Sequence, residues 1–217
     1  MSKKKLIVWG ASGQSLVLEE ILRKDFEIVV LFDNKIMTTP FDNIPLLMGY
    51  DGFEKWKEIY LNEIKQIHFI VAIGGNKGND RIQIHEFLKS NGLIPVNAIH
   101  PSAFIAYNAE ISEGTQILAN SSICVKVKLG KSVIINTAAS VDHEGVIDQG
   151  VHIGPGAKLA GCVKVNTNTF IGTGCIVLPR IEIGKNCIIG AGSVVTRNIP
   201  DNVIAYGNPC KVRKNNY

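Results

Sequence analysis

No stretch of this 217-residue chain is apolar for the roughly eighteen residues that a membrane-crossing helix needs. The opening MSKKKLIVWG lacks the apolar core of a signal peptide and runs straight into a glycine-rich turn, which points to the cytoplasm. Cysteine is scarce. Cys124, Cys162, Cys175, Cys187 and Cys210 form an odd set without a CxxC step, which argues against a disulfide framework; Cys175 and Cys187 read as small core residues. Aromatic residues make up 7% of the chain and are not interleaved with any compact basic patch, so nothing favours a nucleic-acid partner. Charge is thin too, at 19% with a net +4, which suits a phosphate-bearing small molecule and an ordinary solvated surface equally. With 46% hydrophobic residues, the chain has the length and composition to bury the cores of two small domains.

What is present is a repeat. From Ile105 to Val195 every sixth residue is isoleucine, leucine or valine, sixteen positions without a break. Neither a helix nor an ordinary strand has a period of six. A coil with flat sides does, because each side points one such residue inward, so the pattern predicts a parallel β-helix of about eighteen residues per coil and roughly five coils. Four residues after each aliphatic site stands a small or β-branched residue, such as Ala109, Thr115, Val133, Ala157 or Cys187, suited to a second inward position. Glycine, asparagine or aspartate often follows the aliphatic residue directly, as at Gly130, Asn136, Asp142, Gly154 and Gly172, and these are expected to form the tight bends.

Residues 1–100 have another rhythm. Apolar runs at Leu6–Trp9, Ile28–Phe32, Ile67–Ile73 and Ile94–Ala98 read as strands. They alternate with helical patterns over 16–22, 52–66 and 79–91, while 37–50 reads as irregular, which together imply a small parallel α/β sheet. The turn after the first strand is Gly-Ala-Ser-Gly-Gln-Ser (10–15), where a helix N-terminus offers N–H groups to an anion, and Asp33 ends the next strand where such domains place a ribose-binding acid. The turn is not GxGxxG and the unit is small, so a mononucleotide is the expected ligand, with a bare strand–helix turn as the alternative. Gly74, Gly75 and Asn76 end the next strand and are expected to line the same crevice. Residues 101–200 are expected to form the β-helix domain, and 201–217 a basic tail that leaves the repeat.

Within the repeat, Asp142-His143-Glu144-Gly145 occupies a corner, where side chains point outward. A bend needs neither a histidine nor a glutamate, whereas acyl transfer needs a base that works near neutral pH. His152, nine residues on, is a second histidine expected to face outward, while His68, His85 and His100 read as structural. A resemblance to the hexapeptide-repeat carbonic anhydrases, which hold zinc with three histidines including an H-x4-H pair, would need such a pair; this chain has none, so no metal is expected.

Taken together, GASGQS (10–15), Asp33, IGGN (73–76), IINTAASVDHEGVI (134–147), VHIGPGAKLAG (151–161) and IPDNVIAYGNPCKV (199–212) resemble the NeuD/PglD family of bacterial sugar acetyltransferases. The resemblance covers the whole chain and implies an α/β Rossmann-like N-terminal domain followed by a left-handed parallel β-helix of hexapeptide repeats. It implies an acetyl-CoA-dependent N-acetyltransferase acting on a nucleotide-linked 4-amino-4,6-dideoxy sugar for surface glycan synthesis, working as a homotrimer. By position, His143 matches the general base and Glu144 the carboxylate that orients it; Asn136 matches a polar residue of the same cleft. His152 matches a contact to the acetyl end of acetyl-CoA, with Gly161, Thr173 and Ala191 along the pantetheine and Lys211 and Arg213 near the CoA phosphates. Ser12, Gly13, Gln14, Asp33, Asn34 and Gly74 match the sugar-nucleotide site. Gln14 stands where many members carry histidine, and Asn34 where some carry a second aspartate. The alternatives are a sialic acid O-acetyltransferase, which needs no nucleotide-binding domain, and a non-catalytic trimeric sensor, which needs no outward His–Glu pair.

Overall fold

The structure is a computed structural model that describes residues 3–35 and 38–216. Met1 and Ser2 of the opening segment, Met37 at the start of the expected irregular stretch, and the terminal Tyr217 lie outside the described residues. The chain divides into two compact units: Met1–Ile73 with Gln83–Ala98, and Gly74–Ile82 with Ile99–Tyr217. Among the described residues no helix is long and apolar enough to cross a membrane.

The first unit is a parallel sheet in the order β3-β2-β1-β4-β5. Its strands are β1 (Lys4–Trp9), β2 (Phe26–Asp33), β3 (Leu46–Met48), β4 (His68–Val71) and β5 (Ile94–Pro95). The helices α1 (Gly13–Leu22), α2 (Gly49–Ile59) and, from Gln83 onward, α3 (Gly78–Ser90) alternate with them. β1 is central because Leu6, Ile7, Val8 and Trp9 are apolar on both faces, and all four are buried. Trp9 stacks on Phe32 at 5.4 Å between ring centroids, and Phe53 of α2 closes on Phe32 at 5.6 Å. Gly10, at φ 111°, ends β1 where a Cβ would stand 2.4 Å from the Ala72 carbonyl, so only glycine lets the two strand ends approach. The sequence predicts four strands, and the structure adds β3 inside the stretch read as irregular. Three residues between Pro45 and Gly49 are too few to show a period, but Leu46–Met48 pairs with Leu31–Asp33.

The second unit is a parallel β-helix with three faces. Face 1 stacks Gln116–Ile117, Ile134–Ile135, His152–Ile153, Phe170–Ile171 and Ile188–Ile189; face 2 stacks Phe104–Ile105 through Val194–Val195; face 3 stacks Glu110–Ile111 through Glu182–Ile183. Pairing is in register one coil apart, for example Ile134 with His152 and His152 with Phe170. Both inward series predicted from the period line one core, with Ile123, Val141, Val165 and Ile189 from the first and Val127, Ala157, Cys175 and Cys187 from the second all fully buried.

The corners correct one expectation. The left-handed backbone does not fall on the residue after the aliphatic site. It falls two residues later, at every sixth position from Gly114 through Asn120, Glu144, Gly150 and Cys162 to Gly192. The glycines directly after the aliphatic residues serve close stacking instead. A Cβ on Gly172 would stand 2.6 Å from the Ala191 nitrogen, and one on Gly154 2.7 Å from the Ile171 carbonyl oxygen. The tail is also corrected: rather than leaving the repeat, Val203–Tyr206 adds a parallel strand beside Ile188–Ile189, and Lys211–Asn215 folds back antiparallel on it.

Candidate active site

His143 and Glu144 lie on the corner between faces 2 and 3, in the turn Asp142–Gly145. The Asp142 carboxylate accepts the His143 backbone N–H at 2.7 Å and fixes the turn. Glu144 adopts φ 58°, which swings its carboxylate back until Oε2 lies 3.2 Å from His143 Nδ1. A carboxylate holds the imidazole with its proton on Nδ1, leaving the Nε2 lone pair for chemistry. Among the described residues Nε2 has no hydrogen-bond partner. The ring lies on Gly161, one coil along: a Cβ there would stand 2.3 Å from Nε2 and 2.5 Å from Cε1. Gly161 is therefore the seat of the imidazole. Its N–H has no partner among the described residues either, since Ala160 offers no acceptor where Asp142 supplies one to His143. Cys162 follows, with its N–H on the His143 carbonyl at 2.8 Å and its Sγ 3.9 Å from Glu144 Oε2.

A second cluster occupies the corner between faces 1 and 2. His152, expected at the surface, is only 5% exposed. It does point away from the coil interior, but the segment Gly74–Ile82 covers it. Its Nδ1 meets the Gly75 carbonyl at 3.3 Å, which can only accept, so the proton sits on Nδ1. Nε2 then accepts from Asn136 Nδ2 at 3.1 Å, and Asn136 Oδ1 accepts the Thr137 N–H at 2.8 Å. Phe170 closes edge-on at 5.2 Å. Burial, reinforced by the charge of Arg81, holds His152 down at about 4, so it is neutral under ordinary conditions. Arg81 is itself fully buried and donates to the Gly150 carbonyl at 2.6 Å and the Ser132 carbonyl at 3.2 Å, which pins the covering segment to the coil. Thr173 and Ala191 stack one coil apart and exposed on this same corner.

In a single chain the predicted residues thus form two groups, His143–Glu144–Gly161 and Asn136–His152 with Thr173 and Ala191, on the two edges of face 2. Face 2 carries a shallow cavity of about 380 Å³ lined by Ser140, Asp142, Lys158, Ala160 and Leu178 among others. Lys211 and Arg213 lie exposed on the last strand; Lys211 shares a cavity of about 330 Å³ with Arg197, and the Arg213 guanidinium rests over the Tyr206 ring at 5.1 Å. The role of Arg81 escapes a sequence reading, because it works through backbone carbonyls 51 and 69 residues away.

In the first unit, Asp33 accepts the Ala11 N–H at 2.9 Å and the Lys35 N–H at 3.0 Å, so it ties the glycine-rich turn to the end of β2. The Ser12 carbonyl accepts the Ser15 N–H at 2.9 Å, and Gly13 has open space where a Cβ would stand. Gln14 is half-buried, and Asn34 is exposed with its amide oxygen against Gly49. Gly74 opens the segment that groups with the β-helix.

A hexapeptide coil with an outward His–Glu pair defines the class of hexapeptide-repeat transferases. Residues 163–197 match the model of the bacterial transferase hexapeptide (six repeats), and 5–86 match that of the PglD N-terminal domain. PerB from Caulobacter crescentus, solved in complex with CoA and GDP-perosamine, is 30% identical, with a TM-score of 0.87 over 98% of each chain. A variant of GDP-perosamine N-acetyltransferase from that organism, with alanine in place of a histidine, was solved with the same two ligands; it is 29% identical and superposes with a TM-score of 0.87 over 99% of each chain. The acetyltransferase domain of PglB from Neisseria gonorrhoeae, in complex with acetyl coenzyme A, is 30% identical with a TM-score of 0.84, over 98% of this chain and all of that one. A curated GDP-perosamine N-acetyltransferase from Escherichia coli is 29% identical over 104 residues, 48% of this chain, and the match spans about half (46%) of that relative's length. The chain belongs to the NeuD/PglD family of hexapeptide-repeat sugar acetyltransferases.

Proposed function

We propose that this protein transfers the acetyl group of acetyl-CoA to the amine of a nucleotide-linked 4-amino-4,6-dideoxy sugar, as a cytoplasmic homotrimer serving surface glycan synthesis. The observation that carries the reading is the His143 imidazole, seated on Gly161 with Nδ1 against Glu144 and Nε2 unengaged. The sugar amine attacks the thioester carbonyl carbon, and His143 Nε2 accepts an amine proton as the C–N bond forms. Glu144 stabilises the imidazolium. The Gly161 N–H is the donor for the oxyanion. When the C–S bond breaks, the proton passes from His143 to the departing CoA thiolate. No serine or cysteine serves as a covalent nucleophile, so transfer is direct and depends on holding both substrates together.

Neutral His152, oriented by Gly75 and Asn136, is assigned to the acetyl end of acetyl-CoA. Thr173 and Ala191 lie along the pantetheine, with Lys211 and Arg213 toward the phosphates. Ser12, Gly13, Gln14, Asp33, Asn34 and Gly74 are assigned to the sugar nucleotide. Threefold packing through face 2 would bring the His143 edge of one protomer to the Asn136–His152 edge of the next, and so would complete the site.

The test is thiol release from acetyl-CoA across GDP-perosamine and its UDP-, dTDP- and CMP-linked 4-amino-sugar counterparts, with free sialic acid alongside. Rapid release with one nucleotide amino sugar, lost in His143→Ala while CoA still binds, is the expected result. Release only with sialic acid would make the enzyme an O-acetyltransferase, and undiminished turnover in His143→Ala would remove the base from that residue.

A further inference from the structure

Cys162 has no part in this chemistry, yet it stands beside it. A ring nitrogen of His143, a carboxylate oxygen of Glu144 and Cys162 Sγ all lie within 4.8 Å of one another, with 3.2 Å from Nδ1 to Oε2 and 3.9 Å from Oε2 to Sγ. A tetrahedral zinc ion with ordinary bond lengths needs about 3.4 Å between its nitrogen and oxygen ligands and about 3.6 Å between oxygen and sulfur. The two separations fall about 0.2 and 0.3 Å from those values. The set is borderline-soft, with one imidazole, one carboxylate and one thiol, a combination that selects zinc over calcium or magnesium. It is held by backbone: Glu144 and Cys162 occupy equivalent corner positions one coil apart, at φ 58° and 60°, and the Cys162 N–H is tied to the His143 carbonyl. Three protein ligands leave the fourth position to water, and the half-exposed histidine and glutamate give access from solvent.

We propose that His143, Glu144 and Cys162 form an inhibitory zinc site built on the catalytic pair. This rests on the reading of His143 as the base. A neutral imidazole bound to metal through Nδ1 carries its one proton on Nε2, so the lone pair that must accept the amine proton is gone. Glu144 is withdrawn from the imidazole in the same event. The Cys162 thiol releases its proton to solvent as it becomes a ligand. The cation is thus an inhibitor and not a cofactor, and turnover is fastest without it.

The experiment uses the full-length protein and two probes, Zn2+ alone and Co2+ alone. Zn2+ is expected to remove most turnover, with recovery on adding EDTA. Co2+ is expected to give a near-ultraviolet sulfur-to-metal charge-transfer band. Cys162→Ala keeps the fold, because Ala138 already holds an equivalent corner at φ 57°. It should abolish the band and raise the half-inhibiting Zn2+ concentration by at least about tenfold. A Cys162→Ala enzyme as zinc-sensitive as the parent would overturn the site, and so would Co2+ binding without the band. A band accompanied by undiminished turnover would overturn the inhibitory role. The band needs no sugar substrate, so a failure of the proposed acetyl transfer shows separately, as silence in the metal-free assay.

Discussion

Glu144 holds a backbone conformation that disfavours glutamate. At φ 58° its Cβ crowds the following carbonyl, at a cost of about 1 kcal/mol that glycine does not bear. Other corners of the β-helix carry Gly150, Gly156, Asn168 and Asn186 at this point. A glutamate here exchanges stability for a carboxylate against the imidazole. Glu144→Gly should therefore raise unfolding stability by about 1 kcal/mol while lowering turnover, read by a thermal melt beside the thiol-release assay. Lower stability in that variant would mean that the carboxylate serves the fold. His152 makes the opposite kind of statement, through pH. Burial and Arg81 hold it at about 4 against an ordinary 6.5, so the unfolded chain takes up a proton between those values while the folded chain does not. Its contribution is full above pH 6.5 and is lost as pH falls toward 4, by on the order of 3 kcal/mol. Denaturant melts from about pH 7 to about pH 4.5 should show a shallower loss in His152→Gln than in the parent, and parallel losses would mean that His152 titrates normally.

At the scale of elements, the segment Gly74–Ile82 is the piece that a period cannot reveal. The inward series from Ile105 to Val195 was legible because the interior admits one aliphatic side chain per side, and the structure buries that series almost throughout. The α/β strands around Leu6–Trp9 and Ile28–Phe32 were legible from apolar runs ending in turn residues. Which glycines make the bends and which make room was not legible, because stacking between coils joins residues about eighteen apart. The burial of His152 was hidden for the same reason: its cover comes from Gly75, seventy-seven residues upstream. Arg81 holds that cover through the backbone carbonyls of Ser132 and Gly150, 51 and 69 residues away, which no local charge pattern flags. Replacing it leaves the Ser132 and Gly150 carbonyls short of a donor at about 1–3 kcal/mol each. Arg81→Met should thus destabilise the β-helix unit by roughly 3 kcal/mol and speed amide exchange in 74–82 above that of the inward columns. Exchange unchanged in that segment would show that the cover is held by other contacts.

At the scale of the whole molecule, the three outer faces of the coil differ in chemistry. Face 3 presents Glu110, Lys128, Lys164 and Glu182, a charged surface with the ion pair Lys128–Glu110 at 3.1 Å. Face 2 presents Ile176 and Leu178 side by side, 45% and 41% exposed, and Phe104, 59% exposed, at its first coil, with Ser122, Ser140 and Lys158 between them. Apolar side chains grouped on one face beside a polar one mark an association surface rather than a solvated one. Face 2 is the one face that both residue groups assigned to the reaction border. A protomer alone holds them on separate edges, so under the proposed threefold packing association through face 2 and activity are expected to be lost together. Leu178→Lys places a charge at the edge of that surface, at the corner position that Ala160 and Asp142 hold one and two coils earlier. Light scattering on the parent should give three times the 23.6 kDa chain mass. The variant should shift toward a single chain mass, keep its circular dichroism, and lose turnover in proportion to the trimer lost. A Leu178→Lys protein that stays trimeric would move the interface to another face. One that falls to monomers yet keeps full turnover would place the whole site within a single chain, and the two edges of face 2 would then need another account.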